Sequence, residues 1–486
     1  METLSLTNRI GGASPVCAEI DLKREDVSLI RSYKWRGAFN KIYHCVSQGI
    51  EGPFVATSAG NHAQGVAISA AALDVKATIF MPQTTPRLKQ RAVVQHGGKN
   101  VDVVLCGDTF DEAQAAASLY AKEHNATVIP PFDDFHVIAG QSTVGSEILV
   151  DSPAVEHLFV PIGGGGLASG VAFAFRELHQ HPCRVIGVEV VGQDSMTQSL
   201  LHQEQVTLGA VDRFCDGTAV GKAGNLTWEI CRDYLADTMT VTNEEVCAAI
   251  QTLWEEKRVI TEPSGAIGLA GLRKAWSQSL VDPARSRCGT ILTGGNTDFL
   301  TLPLIVKRSQ LAQSTRRYFR FEISERNGSL IDLLDQFMDG INIIDFQYGK
   351  QNPGEATPVL GLSGSAEQLT EFVRRIGNST IGVTEVTDHQ ATLFRAIPFR
   401  PDLVQHPIFL HVDFPDRPGA LREMMREISQ LTNICYFNFN DSGQSEGHAL
   451  IGFEFDAVAG QKQLFNAIDR MDFRYRLVNM GGFIEE

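Results

Sequence analysis

No CxxC pair occurs among the nine cysteines of this sequence. Zinc sites and thiol redox motifs usually present paired cysteines, so neither is indicated. An odd number of scattered cysteines in a long chain instead favours reduced, partly buried thiols. We therefore expect no metal site and no disulfide framework. The cysteines are Cys17, Cys45, Cys106, Cys183, Cys215, Cys231, Cys247, Cys288 and Cys435.

Positive charge is scarce. The 42 lysines and arginines face 57 aspartates and glutamates, which gives a formal charge of -15. Nucleic acids and anionic membranes would not be attracted to such a surface. We expect neither as a partner, although small anions can still bind at local sites.

Long apolar runs are missing as well. The start, METLSLTNRI, lacks the apolar core of a signal peptide, and no uninterrupted apolar stretch reaches membrane-spanning length. Hydrophobic residues at 43% and charged residues at 20% are typical of a globular protein. The sequence predicts a cytoplasmic protein, and its 486 residues are too many for one core.

Residues 50 to 300 alternate between β-rich runs and Ala-rich helical patterns. PFVATSA precedes AQGVAISAAAL, KATIFMP precedes PRLKQRAVVQHG, and HLFVPI precedes LASGVAFAFRELH. Continuous apolar strands separated by helices predict an α/β fold with parallel sheets covered by helices on both faces. Such sheets bind ligands at the carboxyl ends of their strands.

The C-terminal region contains an internal repeat. The segment from Phe319 matches the segment from Leu410, so that Arg326, Gly328 and Asn342 correspond to Arg417, Gly419 and Asn433. Each copy has the pattern of strand, glycine-containing loop, amphipathic helix and strand, which indicates two duplicated α+β modules. We predict domains at 1–310, 318–400 and 407–486.

Lys34 occupies an unusual position in RSYKWRGAFN. Ser32 is predicted to cap a helix, which puts Lys34 in the first turn, where the helix dipole disfavours an ammonium. That field and partial burial would lower the pKa of the lysine and supply a neutral amine. The alternative is a surface lysine with its stem on apolar neighbours.

Three strand-to-helix junctions could face the same cleft. In TSAGNHAQG, Asn61 is either a helix cap or a hydrogen-bond donor to a ligand. In PIGGGGLASG, consecutive glycines can direct backbone N–H groups at a phosphate, although a dinucleotide site with Glu189 on the ribose competes. In ILTGGNTD, Thr293 either offers its hydroxyl to the cleft or simply ends a strand.

The ordered motifs SYKWRGAFN, TSAGNHAQGVA, PFDDFHVIAGQSTVGSEI, PIGGGGLASG, FCDGTAVGKAG, EPSGA and TGGN closely resemble the fold-type II pyridoxal-phosphate enzymes. Among these, the resemblance is to biosynthetic threonine dehydratases (threonine ammonia-lyases). It covers residues 20 to 300 nearly continuously. The repeated C-terminal region resembles the two ACT-like regulatory modules of that family.

The resemblance implies a role for each matching residue. Lys34 would bind pyridoxal 5′-phosphate covalently and remove the Cα proton of the substrate, L-threonine or L-serine. Glu262 in EPSGA would be a cleft residue without an assigned role. The cofactor-binding residues would be Lys34, Asn61, Gly163, Gly164, Gly165, Gly166, Leu167 and Thr293, and the substrate loop would contain Ser58, Ala59, Gly60 and His62.

The regulatory modules imply feedback control. By resemblance, isoleucine would inhibit and valine would oppose it, with Arg326, Gly328, Arg417 and Gly419 as the candidate contacts. Glycine at these loops also suits a turn with positive φ. Paired modules favour a homo-oligomer, and a tetramer is the family expectation.

Two departures from the family pattern leave alternatives open. Only 22 residues precede Lys23, where the family has a longer segment that helps to close its small subdomain, and Ala59 replaces a serine that is frequent there. The alternatives are a serine dehydratase or racemase of the same cofactor class, an amino-acid sensor whose catalytic half has decayed, and a nicotinamide enzyme, which would leave Lys34 and Thr293 unexplained.

Overall fold

The structure is a computed structural model, and it describes residues 1–8, 16–312, 315–387, 389, 392, 395–415, 419–440, 446–471 and 473–479. The chain forms two compact units, Met1–Ser309 and Gln310–Glu486. Each unit has its own buried apolar clusters. We therefore describe them separately.

The first unit contains alternating strands and helices. Its strands are β1 Glu2–Asn8, β2 Val16–Arg24, β3 Phe54–Thr57, β4 Ala77–Met81, β5 Val101–Leu105, β6 Thr127–Val128, β7 His157–Pro161, β8 Arg184–Val190, β9 Asp237–Val241 and β10 Cys288–Leu292. Its helices are α1 Lys34–Ser47, α2 Asn61–Ala72, α3 Arg87–Gly97, α4 Phe110–Glu123, α5 Phe135–Asp151, α6 Gly166–Phe173, α7 Ser195–His202, α8 Asn225–Tyr234, α9 Asn243–Lys257, α10 Ile267–Ser277 and α11 Leu302–Ala312, which spans the boundary between the units.

These strands form two sheets. The larger sheet has the order β1-β2-β10-β7-β8-β9, and the smaller has the order β5-β4-β3-β6. All neighbouring pairs are parallel except β1 and β2, which pair antiparallel at one edge. Strands such as β4 and β10 are buried along their whole length, as their continuous apolar sequences require when helices cover both faces. The predicted α/β fold is confirmed.

The second unit contains two copies of one motif. The first copy is β11 Arg316–Ser324, α12 Ser329–Phe337, β12 Asn342–Gly349, β13 Glu355–Ala356, β14 Val359–Ser363, α13 Ala366–Gly377 and β15 Gly382–Glu385. The second copy is β16 Ile408–Pro415, α14 Ala420–Ile428, β17 Asn433–Asn440, β18 Glu446–Glu454, α15 Gln461–Arg470 and β19 Arg474–Val478. Apart from the short β13, each copy follows the β-α-β-β-α-β order of ferredoxin-like modules.

The two copies are related by an internal two-fold axis. They join through antiparallel β12 and β17, where Gln347 pairs with Asn438, and these two residues are equivalent in the repeat. Likewise, Asp335 forms an ion pair of 2.7 Å with Arg426, and Arg426 occupies the position equivalent to Asp335 in the second copy, 91 residues later. Only a two-fold arrangement brings equivalent positions together in this way. The structure therefore confirms the predicted duplication.

Within the described residues, no helix is long and apolar enough to cross a membrane.

Candidate active site

Helix α1 begins at Lys34, after the loop that follows β2. Tyr33 is its N-cap, so the prediction that Ser32 holds this position is wrong by one residue. Tyr33 already has helical backbone angles, which leaves Ser32 one position outside the helix. The Ser32 hydroxyl still accepts a weak hydrogen bond from the Lys34 N–H, at 3.4 Å. Lys34 lies in the first turn, as expected.

The Lys34 amine lies in contact with neighbouring protein groups. Its Nζ donates a hydrogen bond of 3.0 Å to the carbonyl of Pro131 and lies 5.4 Å from the centre of the Tyr33 ring. Burial lowers the pKa of Lys34 to about 8, although the negative charge of Glu262 partly opposes this. The amine therefore loses its proton more readily than an exposed lysine would.

Asn61 opens helix α2 at the end of the loop after β3. Its side chain makes no cap bond to the helix. Instead, Nδ2 donates to Glu262 Oε1 at 2.7 Å, and Oδ1 accepts from Asn296 Nδ2 at 2.6 Å. This arrangement fixes the orientation of the amide and leaves one N–H of Nδ2 able to donate elsewhere.

Glu262 is a buried carboxyl at the centre of this network. Burial raises its pKa to about 7, the charge of Asp216 raises it further, and the hydrogen bond from Asn61 opposes both. Its backbone N–H donates to the carbonyl of Gly294 at 2.7 Å, which ties EPSGA to TGGN. The expectation that Glu262 lies near the other site residues is supported by these contacts.

Gly163, Gly164 and Gly165 lie in the turn between β7 and α6, and Gly166 is the first residue of α6. A Cβ on Gly164 would lie 2.3 Å from the ring of Phe132, and one on Gly163 would lie 2.9 Å from the Cα of Thr218. Gly165 has φ of +95°, which other residues rarely adopt. Close packing and backbone conformation therefore both require glycine here.

The backbone of this turn fits a phosphate. Among the described residues, none accepts a hydrogen bond from the N–H groups of Gly163 through Leu167. Consecutive free N–H groups at the start of a helix form an anion-binding site. Together with the buried amine of Lys34, this donor set fits pyridoxal phosphate.

Thr293 immediately follows β10 and is 5% exposed. Its hydroxyl accepts a hydrogen bond of 3.3 Å from the backbone N–H of Tyr33. This contact brings the end of β10 to the start of α1. Thr293 therefore lies close to Lys34, and its contact to the cofactor ring stays a prediction.

The predicted substrate loop lies between β3 and α2. The Ser58 hydroxyl accepts a hydrogen bond from the Gly60 N–H at 3.1 Å, and Ala59 lies between these residues, half-exposed. His62 is buried and its Nε2 donates to the carbonyl of Ile129 at 2.9 Å. The pKa of His62 is lowered to about 3, mainly by burial and secondly by the charge of Lys34. His62 is therefore neutral and has a fixed orientation.

The segment 129–132 joins these groups, and the sequence did not single it out as a contact surface. The carbonyl of Ile129 holds His62, the carbonyl of Pro131 holds Lys34, and the ring of Phe132 packs on Gly164. These contacts link residues that are distant in sequence. The PFDDF motif was the one available signal for them.

The predicted regulatory residues belong to the second unit. Arg326 and Gly328 line a cavity there, and Arg326 also forms an ion pair of 3.0 Å with Asp332. Gly328 and Gly419 are the N-caps of α12 and α14, with φ of +87° and +91°. Arg417 lies outside the described residues.

Glu189, the ribose-binding residue of the competing dinucleotide hypothesis, is fully buried. Its carboxylate accepts hydrogen bonds from the N–H groups of Met196 and Thr197 at the start of α7. The Glu189 side chain is thus already hydrogen-bonded to the N-terminus of α7. This contact gives no support to a nicotinamide site.

Comparisons with known proteins identify two families along the chain. Residues 9–294 match the family described as "Pyridoxal-phosphate dependent enzyme". Residues 403–485 match the "C-terminal regulatory domain of Threonine dehydratase". The first match covers more than half of the chain.

Relatives and solved structures agree with these matches. The chain is 35% identical to a threonine dehydratase of Nicotiana attenuata over 89% of this chain and 72% of that protein. It is 33% identical to the L-threonine dehydratase biosynthetic IlvA of Escherichia coli strain K12, over 89% and 84%. The processed threonine deaminase isoform 2 of Solanum lycopersicum has a TM-score of 0.57 at 39% identity over 59% of this chain and 82% of that one. A maize serine racemase reaches 0.55 at 31% identity over 60% and 87%. The chain therefore belongs to the pyridoxal-phosphate dependent enzymes and, within them, to the threonine dehydratase family with a C-terminal regulatory domain.

Proposed function

We propose that this enzyme converts L-threonine to 2-oxobutanoate and ammonia, as the first step of isoleucine biosynthesis. Water is lost from the β-carbon and regained when ammonia is released, so threonine gives the keto acid and ammonia overall. The proposal rests on the lowered pKa of Lys34 and on the N–H groups of Gly163 through Leu167, which have no acceptor among the described residues, in a chain of the threonine dehydratase family.

Lys34 is the proposed catalytic base and the covalent anchor of the cofactor. Both roles require a neutral amine, and burial of Lys34 favours that form. Pyridoxal phosphate supplies the electron sink that makes the Cα–H of the substrate acidic. Lys34 Nζ then accepts that proton. Removal of a proton by a positioned side chain contributes about 10²–10⁴-fold to a rate.

The other residues position the reacting groups. The N–H groups of Gly163, Gly164, Gly165, Gly166 and Leu167 would hold the phosphate of the cofactor, and the remaining N–H of Asn61 would donate to its phenolic oxygen. Thr293 would face the ring nitrogen. A neutral hydroxyl there cannot maintain a positive charge on the ring as a carboxylate would, which favours elimination over transamination.

The loop before α2 would bind the substrate carboxylate. Ser58, Ala59, Gly60 and His62 surround the start of that helix, where free N–H groups and the helix dipole favour an anion. His62 is neutral because its pKa is lowered to about 3, so the backbone supplies this attraction rather than an imidazolium charge.

A direct test compares substrates. Purified enzyme is incubated with L-threonine or L-serine, and 2-oxobutanoate or pyruvate is measured. We expect a higher kcat/KM with threonine. A higher value with serine would assign the enzyme to serine dehydration instead.

A second candidate function is serine racemisation, because the solved maize serine racemase is similar to this chain. Its test is the formation of D-serine from L-serine, measured by chiral chromatography. We expect keto acid without D-serine.

The second unit supports feedback regulation. We propose that isoleucine inhibits the enzyme and that valine opposes this effect, through contacts that include Arg326, Gly328, Arg417 and Gly419. The match to a threonine dehydratase regulatory domain and the cavity beside Arg326 and Gly328 support this proposal. Isoleucine should lower the rate at subsaturating threonine, and valine should restore it. A rate that is insensitive to both would contradict the proposal.

The domain boundaries and the subunit number of the protein are also proposals. We propose a catalytic domain at 1–310 and regulatory modules at 318–400 and 407–486 in a cytoplasmic homotetramer. The division of the chain after Ser309 and the duplicated motif support the domain proposal. Light scattering of the purified protein tests the subunit number.

A further inference from the structure

Three side chains in the second copy of the repeat form a group with metal-ligating chemistry. His411 and Asp413 lie two positions apart on β16, and His448 lies on β18, directly across from Asp413. Leu410 and Val412 of β16 belong to the apolar core of the second unit. Because successive side chains of a strand point to opposite faces, the three polar groups share the face of the sheet that is turned away from this core.

The ligand atoms of these three side chains converge. Asp413 Oδ1 lies 2.7 Å from His448 Nδ1 and 3.3 Å from His411 Nδ1, and the three atoms all lie within 4.8 Å of one another. The centres of the two imidazole rings are 5.7 Å apart. Ligand atoms bound at about 2.1 Å to one tetrahedral ion are about 3.4 Å apart, so small side-chain rotations would bring all three atoms onto one ion.

One of these contacts is unfavourable without a cation. His448 Nδ1 donates a hydrogen bond to Asp413, whereas the contact between His411 and Asp413 lacks hydrogen-bond geometry. His411 Nδ1 instead accepts a hydrogen bond of 3.4 Å from Arg476. A ring nitrogen that accepts carries a lone pair and no proton. The lone pair of His411 and a carboxylate oxygen are therefore close together, and a cation bound to both would turn this repulsion into attraction.

Two arginines on the edge strand β19 compete with such a cation. Arg476 lies across from His411, and Arg474 lies across from Asp413. Both arginines are exposed, so their side chains can turn into solvent at little energetic cost. Their positive charge lowers the affinity for a cation but removes none of its ligands.

The first copy has other residues at the equivalent positions, which are Arg320, Glu322 and Thr357. Arg320 repels a cation, and Thr357 offers only a neutral hydroxyl where the second copy has an imidazole. Since both copies have the same fold, that fold does not require two histidines and an aspartate here. The expectation that the chain has no metal site was based on its cysteines, and this set contains none.

We propose that His411, Asp413 and His448 bind one divalent transition-metal cation per chain. Two imidazoles and one carboxylate suit Zn²⁺ and similar ions, whereas Mg²⁺ and Ca²⁺ favour sites made of oxygen ligands. The side chains are 30%, 19% and 41% exposed, so an ion can reach them from solvent. The bound ion would cross-link β16 to β18. Its binding does not depend on the proposed catalysis or on the proposed effector.

Equilibrium dialysis of the tag-free, full-length holoenzyme against Zn²⁺ tests this site. Excess Mg²⁺ occupies weak carboxylate sites, and elemental analysis measures the bound zinc. We expect the wild type to bind one Zn²⁺ per chain more than a variant that combines His411→Ala, Asp413→Asn and His448→Ala. Each single substitution should weaken this binding by at least about tenfold, because it removes one of three ligands.

Two further variants separate metal ligation from a structural effect. Glu322→Gln, at the position of the first copy that is equivalent to Asp413, is the matched control and should bind Zn²⁺ as the wild type does. Arg476→Gln should tighten binding by at least about twofold, because it removes a competing hydrogen-bond donor and a like charge. Circular dichroism verifies that each variant folds.

Three results would overturn the proposal. Equal amounts of Zn²⁺ on the wild type and on the combined variant would show that the metal binds elsewhere. Wild-type affinity in the single variants would show that their side chains are not ligands. Weaker binding by Arg476→Gln would show that this arginine supports the site rather than competing for His411.

Discussion

At the scale of single residues, two ionisable groups of the candidate site, Lys34 and Glu262, have pKa values shifted toward neutrality. Burial lowers the pKa of Lys34 to about 8 and raises that of Glu262 to about 7. Enclosure favours the neutral form of each group, although the charges of the two groups attract each other. Such shifts are frequent where a protein moves protons.

Replacing Lys34 tests its central role. Lys34→Ala should remove the visible absorbance of the lysine-bound cofactor and reduce kcat by at least about 10³-fold, since one residue supplies both anchor and base. Absorbance spectra and keto-acid assays measure the two effects. Lys99→Ala, at a side chain that is 80% exposed, is the control and should match the wild type. An unchanged spectrum in Lys34→Ala would contradict the assignment.

Glu262 should make stability depend on pH in a defined direction. Its pKa is raised from 4.5 to about 7 in the folded protein, so its stabilising contribution is complete below pH 4.5 and is lost as the pH rises through 7. The melting temperature of cofactor-free wild type should therefore fall across this window more steeply than that of Glu262→Gln. Glu256→Gln, at an exposed carboxyl, is the control and should retain the wild-type slope. Parallel curves for the wild type and Glu262→Gln would refute this account.

At the scale of elements, the turns that start helices carry most of the proposed chemistry. The β7–α6 turn offers backbone donors, the start of α2 offers a fixed amide, and the start of α1 offers the amine. The carboxyl ends of parallel strands meet at one edge of a sheet, so residues after β7 and β10 converge. The segment 129–132 then connects these turns.

The glycine turn should not accept a side chain. Gly164→Ala places a methyl group 2.3 Å from the Phe132 ring, and such overpacking costs about 1–3 kcal/mol. Fluorescence titration should show weaker pyridoxal-phosphate binding, because the N–H groups move with the displaced backbone. Gly209→Ala has open space around the new methyl group and serves as control. Equal affinity in the two variants would argue against a tightly packed phosphate site.

The caps of α12 and α14 form a matched pair in the regulatory unit. Gly328→Val and Gly419→Val each force a side chain onto a positive φ, at a cost of about 1–2 kcal/mol. Only Gly328 is in the lining of the described cavity. We therefore expect both variants to spare catalysis, and we expect Gly328→Val to weaken inhibition by isoleucine more than Gly419→Val does. Dose-response curves measure this difference, and wild-type inhibition of Gly328→Val would be the contrary result.

At the scale of the whole molecule, the sequence predicted the elements better than their contacts. Alternating apolar strands and helices predicted the α/β fold, and the repeat from Phe319 and Leu410 predicted two copies. The pairing of Gln347 with Asn438 was not predictable, because register between copies depends on packing rather than on local pattern.

The candidate site was predictable only in part, because local sequence patterns do not specify contacts between distant segments. Lys34, Asn61 and the glycines follow local rules at helix starts, so their positions could be anticipated. The contacts of Asn61 with Glu262 and Asn296 join segments more than two hundred residues apart. No local signal specifies such contacts. The shift of the α1 cap from Ser32 to Tyr33 is within the usual uncertainty of helix ends.

The most direct measurement records the visible spectrum of the purified enzyme and then the keto acid formed on adding L-threonine. The account predicts the absorbance of a lysine-bound pyridoxal cofactor, with one cofactor per chain. On addition of L-threonine, it predicts 2-oxobutanoate and ammonia in equal amounts. A protein that shows this absorbance but forms no keto acid would contradict the catalytic proposal, and a protein that binds no cofactor would contradict the assignment of Lys34 itself.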